Sequence, residues 1–133
     1  MKQKINLRLG LIALVALLLT TLGVTKVYYD LFRQQVGRDL RLTAQLLEQT
    51  GEFAPGSTPS LKNDEGRITW VDADGTVLYD DETDAGALPN HADRPEIRQA
   101  MDAGEGETVR RSDTFNMNTF YYALRLDDGT VLR

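Results

Sequence analysis

The chain has 133 residues, a net charge of −5 and no cysteine, so disulfide bonds and thiolate metal sites within it are excluded. The first 26 residues contain four basic residues and no acidic one, which leaves a net charge of −9 for residues 27–133. Such an acidic surface repels nucleic acid and anionic lipid, and we expect neither as a direct partner of that surface. Residues 27–133 are enough for one small domain and not for two.

An uncharged apolar run follows the basic N-terminus, from Leu9 to Thr25. As an α-helix, residues 9–27 are about 28 Å long, close to the roughly 30 Å thickness of a bilayer's hydrocarbon core. Basic residues at the end of such a run stay on the cytoplasmic side. The sequence therefore predicts a single-span protein of the cell membrane, with a cytoplasmic segment 1–8, a transmembrane anchor 9–27 and an extracytoplasmic domain 28–133.

A cleaved signal peptide is the alternative interpretation of this segment. It would have the same basic start, but Thr20, Thr21 and Gly23 around Leu22 do not form a clear Ala-x-Ala cleavage site. The apolar run is also at the long end for a signal peptide. We therefore favour an uncleaved anchor.

Apolar residues recur at helical spacing after the predicted anchor, and neither proline nor a clear stop occurs before Gly51. Spacings of three and four residues place them on one helix face; they are Leu31, Phe32, Val36, Leu40, Ala44 and Leu47. We expect this helix to run to about Thr50 and to pack on the sheet of its own domain. The alternative is that it also pairs with the same helix in a second copy.

The pattern becomes strand-like after a loop from Gly51 to Gly66. Residues 67–72 and 76–80 are rich in β-branched and aromatic side chains, and the turn between them ends in Asp74-Gly75. Asp and Gly tolerate the positive φ of tight turns, so a β-hairpin is predicted here. Within it, Trp70 and Val77 are expected in the core.

A short helix is predicted from Pro95 to about Ala103, after an acidic and irregular segment at 81–93. Pro95 suits the first helical position, where its missing N–H costs nothing, and Glu96 complements the positive end of the helix dipole. Gly104 is a suitable helix terminator.

Three further strand-like segments, at residues 108–114, 119–126 and 130–133, complete the element order. This order predicts an α+β fold, in which the transmembrane helix continues into a long amphipathic helix packed on a five-stranded antiparallel sheet. The fifth segment stops after four residues, so we expect a truncated last strand and a chain that is a fragment of a longer protein.

Three stretches of the sequence resemble the extracytoplasmic PAS-like (Cache, or PDC) sensor domain of bacterial two-component sensor histidine kinases. They are residues 67–78, 90–97 and 110–114, and the most specific is Asn90-His91 through Arg94-Pro95-Glu96-Ile97. The similarity is to kinases of the phosphate-regulon and cell-wall-regulating type. It implies a homodimer through the transmembrane and juxtamembrane helix, which passes an external signal across the membrane lipid to a cytoplasmic kinase core.

The kinase core that this resemblance implies is absent from the chain. Such a core uses ATP and Mg²⁺ to phosphorylate its own histidine and passes the phosphoryl group to a response regulator. Here the only histidine, His91, lies in the exported half, and no Gly-rich phosphate-binding loop is present. We expect this chain to be non-enzymatic and without a cofactor. Alternatives are the sensor domain of a chemoreceptor or a cyclic-dinucleotide enzyme, or a free-standing anchored binding protein.

Candidate ligand-binding residues are His91, Arg94, Arg110 and Tyr122. An unperturbed imidazole has a pKa near neutral pH, and a guanidinium can donate two parallel hydrogen bonds to one oxyanion. These four residues therefore suit an anionic small molecule or cell-envelope signal. We favour the structural interpretation for Asn90, His91 and Arg94, in which hydrogen bonds and an ion pair fasten this loop to the sheet. Alternation along the strand places Phe120 and Tyr122 on one face of the sheet and Tyr121 on the other.

Candidate metal ligands are the four carboxylates Asp80, Asp81, Glu82 and Asp84. Ca²⁺ and Mg²⁺ take such oxygen ligands, but the cluster lacks the spacing of a twelve-residue calcium loop. A solvated acidic loop is the favoured interpretation. A further alternative is that bridging cations join this loop to anionic lipid.

Overall fold

The computed structural model describes residues 2–63, 66–111 and 117–133. Helix α1 spans Lys2–Thr50, and the chain divides into two compact units, with the boundary between Val36 and Gly37. In the first unit, the side chains of residues 3–35 are exposed. Among the described residues, α1 is the one helix that is long and apolar enough to cross a membrane. A signal sequence has the same properties, so the orientation and permanence of the anchor stay predictions.

The second unit contains the end of α1 and a five-stranded antiparallel sheet, which confirms the predicted α+β class. Its elements after α1 are β1 Thr69–Val71, β2 Val77–Asp80, a 3₁₀ turn Ala85–Ala87, α2 Pro95–Ala103, β3 Glu105–Arg111, β4 Asn118–Arg125 and β5 Val131–Leu132.

The strand order is β2-β1-β5-β4-β3, so the short strand β5 joins the β1–β2 hairpin to the β3–β4 hairpin. Trp70 pairs with Leu132, and Leu124 pairs with the same Leu132 from the other side. The backbones of Thr69 and Arg133 also exchange two hydrogen bonds of 2.8 Å, which carries the ladder to Arg133. The predicted hairpin at 67–80 is confirmed.

A hydrophobic cluster lies on each face of the sheet. On one face, Ala44 of α1 packs with Trp70, Tyr122 and Leu132, and Leu40 and Leu47 adjoin them. This confirms the prediction that the end of the long helix packs on the sheet of its own domain. On the other face, a second cluster joins α2 to the three central strands; its buried members are Val71, Ile97, Ala100, Ala123 and Val131.

Strand β3 begins three residues earlier than the sequence predicted. Gly104 ends α2 with φ of +92° and an N–H bond to the Ala100 carbonyl, and the strand starts at the next residue. Residues 105–107 read Glu-Gly-Glu, which has weak strand propensity. Gly106 is nevertheless required, because α2 lies against it: a Cβ there would overlap the Glu96 carbonyl oxygen. The predicted end of this strand, at 112–114, lies outside the described residues.

Candidate functional site

A buried ionic network lies on the α2 side of the sheet. Its centre is Glu96, in the first turn of α2, whose side chain is fully buried. Glu96 Oε1 lies 3.5 Å from Nη2 of Arg110 and 3.4 Å from Nη1 of Arg133. Gly106 contacts α2, so alternation along β3 directs Arg110 to the same face. Two guanidinium groups therefore share one carboxylate.

The ring of Tyr121 lies under both guanidinium groups. The Cζ atoms of Arg110 and Arg133 are 4.4 Å and 5.1 Å from its centroid. Such cation–π contacts hold cations against an aromatic face, and more strongly when water is partly excluded. The Arg133 side chain is 9% exposed and that of Arg110 is 28% exposed, so Arg110 is the more accessible to solvent.

A second buried carboxylate, Asp80, adjoins this network through β1. It accepts hydrogen bonds from Arg67 Nε at 2.9 Å and from the Thr69 hydroxyl at 2.9 Å. Backbone N–H groups of Glu82 and Thr83 donate to its Oδ1. Burial raises the pKa of Asp80, but the hydrogen bonds from Arg67 and Thr69 and the charge of Arg67 outweigh it, so the net pKa is lowered. Asp80 is therefore ionised at neutral pH.

His91 is buried beside these charged groups, with 4% of its surface exposed. Its backbone N–H donates to the Gly75 carbonyl at 2.7 Å, and the neighbouring Asn90 side chain donates to the Asp74 carbonyl at 2.9 Å. These bonds confirm that Asn90 and His91 fasten the loop to the hairpin. The ion pair predicted for Arg94 is not found among the described residues; Arg94 is the N-cap residue of α2, and its side chain makes no capping hydrogen bond.

Burial lowers the pKa of His91 to about 4, and the charges of Arg133, Arg94 and Arg67 act in the same direction. The imidazole is therefore neutral at pH 7. Three of the buried polar atoms without a hydrogen-bond partner in the described part of the chain belong to this region; they are His91 Nδ1, Glu96 Oε2 and Arg110 Nε. They offer hydrogen-bonding capacity that the protein itself leaves unused.

Tyr122, the fourth predicted ligand residue, lies on the opposite face of the sheet. Its hydroxyl donates to Glu105 Oε2 at 2.7 Å, and Arg41 Nε is 3.3 Å from the same oxygen. Burial, and then the bond to Glu105, raises the pKa of Tyr122. Tyr122 belongs to the hydrophobic cluster under α1 and is separated from Arg110. Strand alternation predicted that Tyr121 and Tyr122 face opposite sides, and this is confirmed.

The four candidate metal ligands contact groups of the protein itself, and Asp80 and Glu82 both lie near Arg67 Nε, at 2.9 Å and 3.8 Å. Asp81 accepts from the backbone N–H of Ile68 and of Asn63, and Asp84 caps the 3₁₀ turn by accepting from Gly86 N–H. Within residues 2–63, 66–111 and 117–133, no group of three or more His, Asp or Glu side chains is arranged to hold a metal ion. The described contacts of the four carboxylates are hydrogen bonds and ion pairs within the protein, from Asp80 at the end of β2 and from Asp81, Glu82 and Asp84 in the segment that follows.

The sequence did not identify Glu96 or Arg133 as members of the network. Glu96 was interpreted as a helix-dipole partner, and its burial depends on how α2 packs on β3. The pairing with Arg133 joins residues 37 positions apart. Nothing in the residues next to Glu96 or Arg133 indicates that the two side chains meet.

The arrangement suits the recognition of an anion. Three arginines, 67, 110 and 133, surround two buried carboxylates, and the more exposed carboxylate of Glu82 lies 3.8 Å from Arg67 Nε. Guanidinium groups are thus concentrated here, although residues 27–133 have an overall charge of −9. The partly exposed Arg110 lies in a position to exchange its carboxylate partner for an external one. No protein-family profile, curated protein or solved structure matches the chain significantly.

Proposed function

We propose that this chain is the membrane anchor and extracytoplasmic signal-sensing region of a two-component sensor histidine kinase. Its PAS-like (Cache/PDC) domain detects an external signal and passes it to a cytoplasmic kinase core. The observation that carries the proposal is the combination of a membrane-length apolar helix with an α+β domain that contains an arginine-rich buried network. Support for the kinase class comes from the sequence resemblance alone.

The signal is an anionic small molecule or an anionic group of the cell envelope, recognised from the Arg110 side of the network. Arg110 pairs with Glu96 at 3.5 Å and stacks on Tyr121, and 28% of its side chain is exposed. An incoming oxyanion accepts charge-assisted hydrogen bonds from this guanidinium. Arg94, which is partly exposed and near His91, contributes further positive charge at the same loop.

Anion binding is tested on the whole chain in lipid nanodiscs, with inorganic phosphate, succinate and short polyphosphate as probes at constant ionic strength. We expect at least one probe to bind with a dissociation constant that Arg110→Gln raises about tenfold or more, by loss of a charge-assisted pair. Arg98→Gln is the matched control, because Arg98 is an exposed arginine of α2. Equal effects of the two variants, or no binding of any probe, would contradict the proposed site.

The output class is tested on the whole protein with ATP and Mg²⁺. A sensor kinase labels a histidine other than His91 and transfers the label to a response regulator, so His91→Gln still becomes labelled. A chemoreceptor shows no labelling. A cyclic-dinucleotide enzyme converts nucleotide without a phosphohistidine, and a free-standing binding protein shows neither activity.

A further inference from the structure

The chain contains a single histidine, and it is buried where charged side chains from several elements meet. The charged groups that face His91 are Arg94 of its own loop, Arg133 after β5, Arg67 before β1 and Asp80 of β2. The Nδ1 atom of His91 has no hydrogen-bond partner among the described residues. An imidazolium donates from both ring nitrogens, so its Nδ1–H would have no acceptor among the described residues.

The neighbouring carboxylates are already engaged. Asp80 accepts from Arg67, Thr69 and two backbone N–H groups. Glu96 is shared by Arg110 and Arg133. A protonated imidazole at position 91 would add a positive charge beside three guanidinium groups, and Asp80, the carboxylate that faces it, is already paired with Arg67. Such a buried charge is strongly unfavourable.

Hydrogen bonds join residues 90–92 to the Asp74–Gly75 turn, and we call this set of bonds the clamp. His91 N–H bonds to the Gly75 carbonyl, Asn90 bonds to the Asp74 carbonyl, and Ala92 N–H bonds back to Asn90 Oδ1. The packing is close, since a Cβ on Gly75 would lie 2.6 Å from Ala92 Cβ. The buried imidazole and these bonds therefore belong to one short segment, residues 90–92, which lies between the hairpin turn and the start of α2.

We propose that this clamp is an acid-sensitive switch, in which protonation of His91 expels its side chain and releases residues 90–94 from the Asp74–Gly75 turn. The inference rests on the proposed function in one respect, that the domain faces the outside and experiences external pH. Release of this loop alters the position of Glu96 and hence the ion pairs with Arg110 and Arg133. The switch thus regulates the same site that is proposed to bind the anion.

The pH range follows from the two states of the side chain. The pKa of His91 is about 4 in the closed domain and 6.5 when the side chain is free, so the open state binds the proton more tightly. The closed state is fully favoured above pH 6.5 and loses its advantage as the pH falls toward 4. Between pH 7.5 and pH 5, the opening equilibrium is expected to rise roughly thirtyfold. Free carboxylates, with pKa values near 4, contribute little in this range.

The switch is tested by hydrogen exchange of the whole chain in nanodiscs at pH 7.5, 6 and 5, with rates corrected for the pH dependence of intrinsic exchange. Amides of His91 and Gly75 and their neighbours should lose protection roughly thirtyfold between pH 7.5 and 5, whereas those of β4 should change far less. His91→Gln should abolish this dependence. Equal protection in wild type at all three pH values would overturn the proposal.

A second measurement keeps the test valid if His91→Gln is poorly folded. NMR of the single isotope-labelled imidazole in the wild-type chain reports its protonation directly. A closed-state signal that stays neutral at pH 5, together with a growing signal of a free imidazolium, supports the switch. A single signal that titrates near pH 6.5 in the closed domain would overturn it. Anion binding at pH 7.5 is independent of this titration, so failure of the switch is distinguishable from failure of the proposed function.

Discussion

Some positions on the α2 side of the sheet leave no space for a larger side chain. Gly106 is the clearest case, because a methyl group there would overlap the Glu96 carbonyl oxygen and lie 2.6 Å from Gln99 Cβ. The helix must move away from β3 to make room. The buried position of Glu96 depends on that close approach, so a glycine in a strand here determines the geometry of the ionic network.

Gly106→Ala is expected to lower the free energy of unfolding by roughly 1–3 kcal/mol through overpacking. Denaturant unfolding followed by the fluorescence of Trp70, the only tryptophan and a buried one, measures the change. Gly86→Ala is the control, since its new Cβ would meet its nearest neighbour at an ordinary 3.7 Å. A loss no larger than that of the control would mean that α2 adjusts freely.

Glu96 and Arg94 should differ sharply in their effect on stability. Glu96→Gln removes the carboxylate shared by Arg110 and Arg133, which leaves two partly or fully buried guanidinium groups without it and costs roughly 3–5 kcal/mol. Arg94→Ala removes a partly exposed side chain without an ion pair in the described residues, and about 1 kcal/mol or less is expected. The same unfolding assay compares the two variants. A decrease in the free energy of unfolding that is larger for Arg94→Ala than for Glu96→Gln would indicate that Arg94 does form the predicted ion pair.

At the scale of elements, the part of α1 in the second unit has two apolar faces. Leu40, Ala44 and Leu47 pack on the sheet. Leu42 and Leu46, one turn apart, are 57% and 63% exposed. The sequence pattern identified the inner face and not the outer one. A second copy of the chain that pairs through this helix would therefore use the Leu42–Leu46 face.

Single cysteines introduced at positions 42 and 46 should crosslink in membranes, where anchoring raises the effective concentration of two copies. Cysteines at 40, 44 and 47 should crosslink weakly, because the sheet covers them; they are the internal controls. Crosslinking is measured by non-reducing electrophoresis after mild oxidation. Uniform or absent crosslinking across all five positions would indicate that this helix packs on its own domain and does not pair with a second copy.

For the whole molecule, the asymmetry of charge predicts the topology. Lys2, Lys4 and Arg8 precede the apolar run, and only Lys26 directly follows it, which favours a cytoplasmic N-terminus. An alkaline phosphatase fused after Arg133 should be active, and the intact chain should stay in the membrane fraction. Activity of a cytoplasmic reporter at the same position would reverse the assignment. A soluble exported form that begins near Thr25 would instead establish a cleaved signal peptide.

Local chemistry in the sequence was sufficient for the membrane-length helix, the 67–80 hairpin and the short helix at 95–103. Each depends on residues close in the chain: an uninterrupted apolar run, an Asp-Gly turn, and a proline and a glycine at the two ends of a helix. The α+β class followed from their order, and strand alternation correctly separated Tyr121 from Tyr122.

Only the tertiary structure decided which charges meet. Glu96 lies in α2, Arg110 in β3 and Arg133 directly after β5. Their contact depends on the close packing of α2 over Gly106 and on β5 lying between β1 and β4. Burial of His91 likewise depends on the hairpin turn reaching a loop about 16 residues further along the chain. Sequence periodicity describes one element at a time, whereas burial and ion pairing are properties of surfaces that exist only after distant elements pack together.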